Sequence, residues 1–245
     1  MGEEERDRER LRVERELGRQ DNRRLRALKL TGVAVFAVGI ASLAALAVAV
    51  TGKGGSEATQ ARPVTTGSPG APATLTVYED FRCPDCRRFD ARFGTTIDDL
   101  RESGRLDVDR HLVTHVDDTR GGRGSHFAAE AALCALDEHK FAQYRRVLYE
   151  NQPPEREDRF GSGARLLRLA AHVDGLSDRE FEKCVRHGLQ SGRVDRMNAA
   201  FEDAHGHRRL PLVLLNGKEL HAGPGGTLTP EKLRRAVEQG GGKGA

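Results

Sequence analysis

Hydrophobic positions along this chain fall into three regimes: a tail where they are sparse, one unbroken run, and a long stretch where they recur periodically. In the periodic stretch, Thr74-Leu-Thr-Val-Tyr78 alternates and is β-branched, which predicts a strand. From Pro84 to about Glu102, Phe89, Phe93, Ile97 and Leu100 recur at helical spacing. Leu106 to Val116 alternates again and predicts a second strand. Helical segments follow at about 125–150, 162–173, 178–187 and 190–205, with Ser177 and Glu180 as a capping box for the third. Pro211-Leu-Val-Leu-Leu215, Asn216-Gly217 and Lys218 to Ala222 spell a hairpin around a type I′ turn. Thr229 and Pro230 open a last helix with Leu233 and Val237 on one face. The order is β-α-β, helices, β-β-α, an α/β pattern over residues 73–240, and 241–245 reads as a disordered tail.

The unbroken run, Thr31 to Val50, holds 20 residues without a charge. At about 1.5 Å per residue it spans roughly 30 Å, the thickness of a bilayer's hydrocarbon core. Arg19, Arg23, Arg24, Arg26 and Lys29 precede it, whereas Lys53 and Arg62 are the only cations soon after it. The positive-inside rule then places the N-terminus in the cytoplasm and the rest outside. A cleaved signal peptide is the rival reading, since Ala45-Leu-Ala47 and Ala47-Val-Ala49 resemble cleavage sites. The long charged leader and the length of the run favour an uncleaved transmembrane anchor over 31–51. Residues 1–30 alternate Glu and Arg and read as a charged cytoplasmic tail. Residues 52–72, rich in Gly, Ser, Thr and Pro, read as a flexible linker with a reach of roughly 25 Å.

Charge excludes one function class. The net charge is +3, but residues 51–245 carry 30 basic against 29 acidic residues, so no electrostatic footprint for nucleic acid is expected. The four cysteines, Cys83, Cys86, Cys134 and Cys184, all follow the apolar run, as an oxidising compartment would permit.

Phe81-Arg82-Cys83-Pro84-Asp85-Cys86 stands where the first strand passes into the first helix. Disulfide exchange needs an exposed thiolate and a second thiol near enough to close a ring on it. Two intervening residues on a first helical turn supply that spacing, and the helix N-terminus favours the thiolate of Cys83. Cys86, one turn further in, is the expected resolving thiol. Zinc also uses Cys-x-x-Cys, but Cys134 and Cys184 lie 50 residues apart without a second ligand at zinc-site spacing, so no metal is expected. Glu79 and Asp80 read as solvated charges at the strand end. Asp85 would oppose the Cys83 thiolate, and Arg82, Arg87 and Arg88 would counter it.

TLTVYEDFRCPDC, AALCALDEHKFAQYRRVLYENQP, LPLVLLNGKEL and the TPEKLRRAV helix, in that order, resemble the DsbA-like family. More narrowly, they resemble its membrane-anchored members from Gram-positive bacteria. The resemblance covers residues 73–240. It implies a thioredoxin-like fold with a helical subdomain inserted at about 120–206, preceded here by one transmembrane helix. It also implies a cis-proline facing the redox pair, which maps onto Pro211, with Leu210, Pro211, Pro84 and Asp85 meeting the substrate. Cys134 and Cys184 lie on apolar helix faces as buried thiols often do; some relatives carry a structural disulfide between inserted helices, and the resemblance implies a Cys134–Cys184 bond here.

The implied activity is thiol–disulfide oxidation of secreted or envelope proteins at the cell membrane, with Cys83 and Cys86 catalytic and no organic cofactor. The implied reoxidant is a quinone-linked membrane protein, DsbB-like or vitamin K epoxide reductase-like. Two other classes stay open: an isomerase or reductase with its pair kept reduced, and a non-catalytic thioredoxin-like binding module.

Overall fold

The computed structural model describes residues 61–240 apart from Pro69, Gly223 and Pro224. The tail, the expected anchor at 31–51, most of the linker and residues 241–245 lie outside the described residues. Among the described residues no helix is long and apolar enough to cross a membrane.

Five strands form one mixed sheet in the order β1-β3-β2-β4-β5: β1 (Val64–Thr66), β2 (Thr74–Glu79), β3 (Asp107–Leu112), β4 (Leu212–Leu215) and β5 (Lys218–Leu220). β2 and β3 run parallel, which requires a crossover, and α1 (Pro84–Glu102) supplies it. β4 pairs antiparallel with β2, setting Val213 opposite Val77, and β5 returns antiparallel to β4. Asn216 and Gly217 have φ of 50° and 77°, the positive pair that a type I′ turn demands.

The alternation of β2 turns Leu75, Val77 and Glu79 to one face. Leu75 and Val77 meet Phe89, Phe93, Ile97 and Leu100 of α1, together with Leu233 and Val237 of α8 (Pro230–Gly240). The Thr229 hydroxyl accepts the Lys232 N–H at the start of α8, the expected cap.

Between β3 and β4 lies the helical insertion: α2 (His115–Arg120), α3 (Gly124–Asp137), α4 (Phe141–Glu150), a 3-10 turn (Arg159–Gly161), α5 (Gly163–Ala170), α6 (Arg179–His187) and α7 (Ser191–His205). Its core is Ala-rich on α3 and aromatic elsewhere, through Tyr144, Phe160, Phe181 and Phe201. Small side chains let the neighbouring helices approach α3 closely, and its stretch from Ala128 to Ala135 is buried throughout.

Several expectations need correction. The strand expected to reach Val116 ends at Leu112; Val113 still donates to Glu79 O at 3.0 Å, and Thr114 then turns the chain into α2. The segment 125–150 is two helices, broken at His139 with φ 58°. The cap of α6 is Asp178, whose carboxylate accepts from Phe181 N at 2.8 Å, not Ser177. Residues 64–66, expected within the flexible linker, form β1 and pair antiparallel with β3.

Candidate active site

Cys83 is the N-cap of α1 and Pro84 its first residue, where a missing N–H costs nothing. The Cys83 sulfur accepts the Cys86 N–H at 3.2 Å, so a first-turn donor of the helix points at the leading thiol. Cys83 is 7% exposed and Cys86 1%; both are free thiols here. Cys83 is the more accessible of the two, but both thiols are buried, whereas the sequence reading expected an exposed Cys83. Burial pushes the Cys86 thiol well up, and the neighbouring Cys83 sulfur and Asp80 carboxylate add to this.

The Leu210–Pro211 peptide bond is cis, and the Cys83 thiol faces Leu210 O at 3.8 Å. The strand opening thus stands against the redox pair, and it leaves a backbone carbonyl beside the reacting sulfur. Asp85 is half-buried in the first turn of α1 and pairs with Arg88. Two clefts open beside this loop, and Cys83 lines the larger. One, of about 550 Å³, runs from Pro84 and Asp85 to His115 and Arg120; the other, of about 290 Å³, runs from Pro211 to His221 and Ala222. Cys134 of α3 and Cys184 of α6 are joined by a disulfide inside the helical insertion, away from both clefts.

Three groups around the pair depart from the sequence reading. Glu79 and Asp80 are not solvated: each is 1% exposed. Glu79 is gripped on both oxygens by Arg145 of α4, at 2.8 and 2.6 Å, with Arg110 of β3 at 3.4 Å and Asp90 of α1 on the far side of Arg145. Burial alone would raise its carboxyl, but the Arg145 and Arg110 charges outweigh this and hold it below the usual range. Asp80 accepts from Arg82 N at 2.7 Å and Val116 N at 2.8 Å. Burial nevertheless pushes its carboxyl up to about 7, with those backbone bonds opposing.

Arg82 is not a counter-charge to Asp85. It is 2% exposed and reaches into the helical insertion, to Asp117 at 2.5 Å, Asp158 at 3.2 Å, Gly121 O at 2.9 Å and Glu155 O at 3.1 Å. The same two carboxylates cap α3, which has no capping side chain of its own. Asp158 accepts from Arg123 N and Gly124 N, and Asp117 from Ser125 N and His126 N. All four orphan donors of that helix are thereby satisfied. Gly124 is required there, because a Cβ would meet Asp158 Oδ1 at 2.4 Å and Arg82 Cδ at 2.9 Å. Gln152, just beyond α4, donates to Phe81 O at 2.8 Å and Cys83 O at 3.0 Å, tying the insertion to the loop that carries the thiols.

A sequence signal existed for some of these. Glu79 follows Leu75 and Val77 in the inward register of β2, and Arg145 falls between Tyr144 and Leu148 on the buried face of α4. Arg82 and Gln152 carry no such mark.

The family model described as Thioredoxin matches residues 59–239. The crystal structure of oxidised DsbA from Mycobacterium tuberculosis is similar, at 27% identity over 74% of this chain and 93% of that one, with a TM-score of 0.62. The reduced disulfide bond oxidoreductase DsbG from the same organism is similar at 28% identity, covering 74% of this chain and 88% of its own, with a TM-score of 0.62. Oxidised BdbD from Bacillus subtilis, at 18% identity over 74% of this chain and 93% of its own with a TM-score of 0.60, shares the fold. No curated protein matches the sequence. With a thiol pair at a helix N-terminus, a cis-proline opposite it and helices inserted between β3 and β4, the chain belongs to the thioredoxin family, as a DsbA-like thiol–disulfide oxidoreductase.

Proposed function

We propose that the protein introduces disulfides into secreted or envelope proteins through Cys83 and Cys86, from a membrane anchor at 31–51 with its catalytic domain outside the cell. This reading follows the sequence resemblance to membrane-anchored DsbA-like proteins of Gram-positive bacteria. The observation that carries the reading is the placement of Cys83: capping α1, receiving the Cys86 N–H, and facing the Leu210 carbonyl before cis-Pro211.

The cycle starts with Cys83 and Cys86 oxidised. A substrate thiolate attacks Cys83 Sγ; the Cys83–Cys86 bond breaks, and Cys86 leaves with the electron pair and takes up a proton. Asp80, buried next to Cys86 with a carboxyl near neutrality, is placed to supply it. A second substrate thiolate then attacks the substrate sulfur of the mixed disulfide and expels Cys83 as a thiolate, which the Cys86 N–H and the helix terminus receive. Two electrons and two protons leave the substrate dithiol, and the enzyme ends reduced. Leu210, Pro211, Pro84 and Asp85 line the clefts that would hold the substrate chain. A quinone-linked membrane protein, DsbB-like or vitamin K epoxide reductase-like, is the proposed acceptor of those electrons.

Two experiments test the reading. Acid trapping and thiol alkylation in cells should find Cys83 and Cys86 oxidised. A pair held reduced would assign the protein to isomerase or reductase work instead. Protease added to spheroplasts should degrade the domain beyond residue 72 and spare the N-terminal tail; a protected domain would overturn the topology.

A further inference from the structure

The surface around Cys83 offers charge rather than grease. Among the described residues the exposed large apolar side chain is Leu189, in the turn between α6 and α7, and it lines neither cleft. A substrate segment lying in these clefts meets polar and charged side chains alongside a few apolar ones, Pro84, Val116, Leu210, Pro211, Leu220 and Ala222.

Every carboxylate bordering the two clefts is already engaged. Asp85 pairs with Arg88, Glu155 with Arg120 at 3.7 Å, and Glu219 with Arg208. Arg209 is the cation left over: it is exposed and makes no ion pair or hydrogen bond among the described residues. It lines both clefts, standing with Asp85 and Leu210 on the ridge between them. It also lies two residues before cis-Pro211, so the backbone that meets the Cys83 thiol sets where its side chain begins. An unpaired guanidinium lining the same cleft as the reacting sulfur has a natural complement, a carboxylate on the incoming chain.

We propose that Arg209 is a specificity-determining residue that selects substrate segments carrying an acidic side chain next to the reacting cysteine. The proposal rests on the thiol-oxidising reading above and names the substrate class for that site. Arg209 acts on encounter and docking of the substrate, not on the sulfur chemistry, so its effect is electrostatic and weakens with salt.

The test uses three dithiol peptides identical except for Asp, Gln or Lys beside the first cysteine, and the pre-oxidised full-length protein. Second-order oxidation rates are divided by those for the uncharged bis(2-hydroxyethyl) disulfide on the same peptides, which removes differences in peptide thiolate content. At low ionic strength the Asp peptide should react roughly tenfold faster than the Lys peptide, and the ratio should shrink in high salt. Arg209→Gln should bring the ratio near one, and Arg209→Glu should invert it. An Asp-to-Lys ratio that is the same in wild type and Arg209→Glu overturns the proposal. Failure of the wild type to oxidise even the Gln peptide would sink the oxidase reading itself, so the two failures are told apart.

Discussion

Arg82→Met is the most informative single perturbation, because it keeps the volume near Cys83 and removes a buried charge. The guanidinium bonds two carboxylates and two carbonyls while 2% exposed. Deleting it leaves Asp117, 9% exposed, with its backbone donors but no counter-charge. Removing one partner of a buried ion pair costs about 3–5 kcal/mol. The Asp158 arm adds little, since that carboxylate is 36% exposed and stays hydrated. A loss of about 3–4 kcal/mol follows, or roughly 10 °C in Tm for a domain of this size. Urea unfolding of wild type and variant gives the loss. A double-mutant cycle with Asp117→Asn should return a coupling of about 2 kcal/mol. Alkylation should also speed up at Cys86, because the loop before Cys83 loses its hold on the insertion. A loss below about 1 kcal/mol with no coupling would refute the view that this node joins the redox loop to the helices.

Four further outcomes are expected. Cys134→Ala and Cys184→Ala should each cost roughly 2–4 kcal/mol of stability, since the bond closes a loop of 50 residues, yet leave thiol exchange intact; abolished exchange would count against a purely structural role. Asp80 is protonated more readily folded than unfolded, so its contribution is full below about pH 4 and is lost as pH rises through about 7. Urea titrations from pH 4 to 8 should show that decline in wild type and a flatter profile in Asp80→Asn; equal slopes would argue against it. Cys86→Ser should accumulate mixed disulfides with secreted proteins, whereas Cys83→Ser should trap none; Asp85→His, which removes the carboxylate paired with Arg88, should raise the reduction potential on glutathione titration.

What the sequence made legible was local. β2, α1, the hairpin about Asn216-Gly217 and α8 each carry their own period, turn or cap, so they could be read without knowing their neighbours. β1 was missed because three residues hold no period, and its only evidence is a ladder to β3, 42 or more positions away. The over-long strand at Leu106–Val116 arose because a short helix also turns Val116 inward. The charges behind the site were misread for a different reason. Whether Glu79, Asp80 and Arg82 are buried is decided by Arg145, Val116, Asp117 and Asp158, which lie 35 to 76 positions away. An acid or an arginine beside an active cysteine looks solvated until its distant partner is known.

The Cys134–Cys184 bond ties α3 to α6 and so braces the layer that anchors Arg82 and Gln152. A bond worth about 2–4 kcal/mol is a large share of the 5–15 kcal/mol that holds a typical domain folded. In reducing surroundings the two thiols stay apart and that share is absent. A copy kept in reducing surroundings would thus be weakly folded and open to proteases, while a copy in oxidising surroundings is completed by formation of the bond. The brace works as a redox-conditional fastener: the layer that holds the loop of Cys83 and Cys86 is complete only where Cys134 and Cys184 can oxidise.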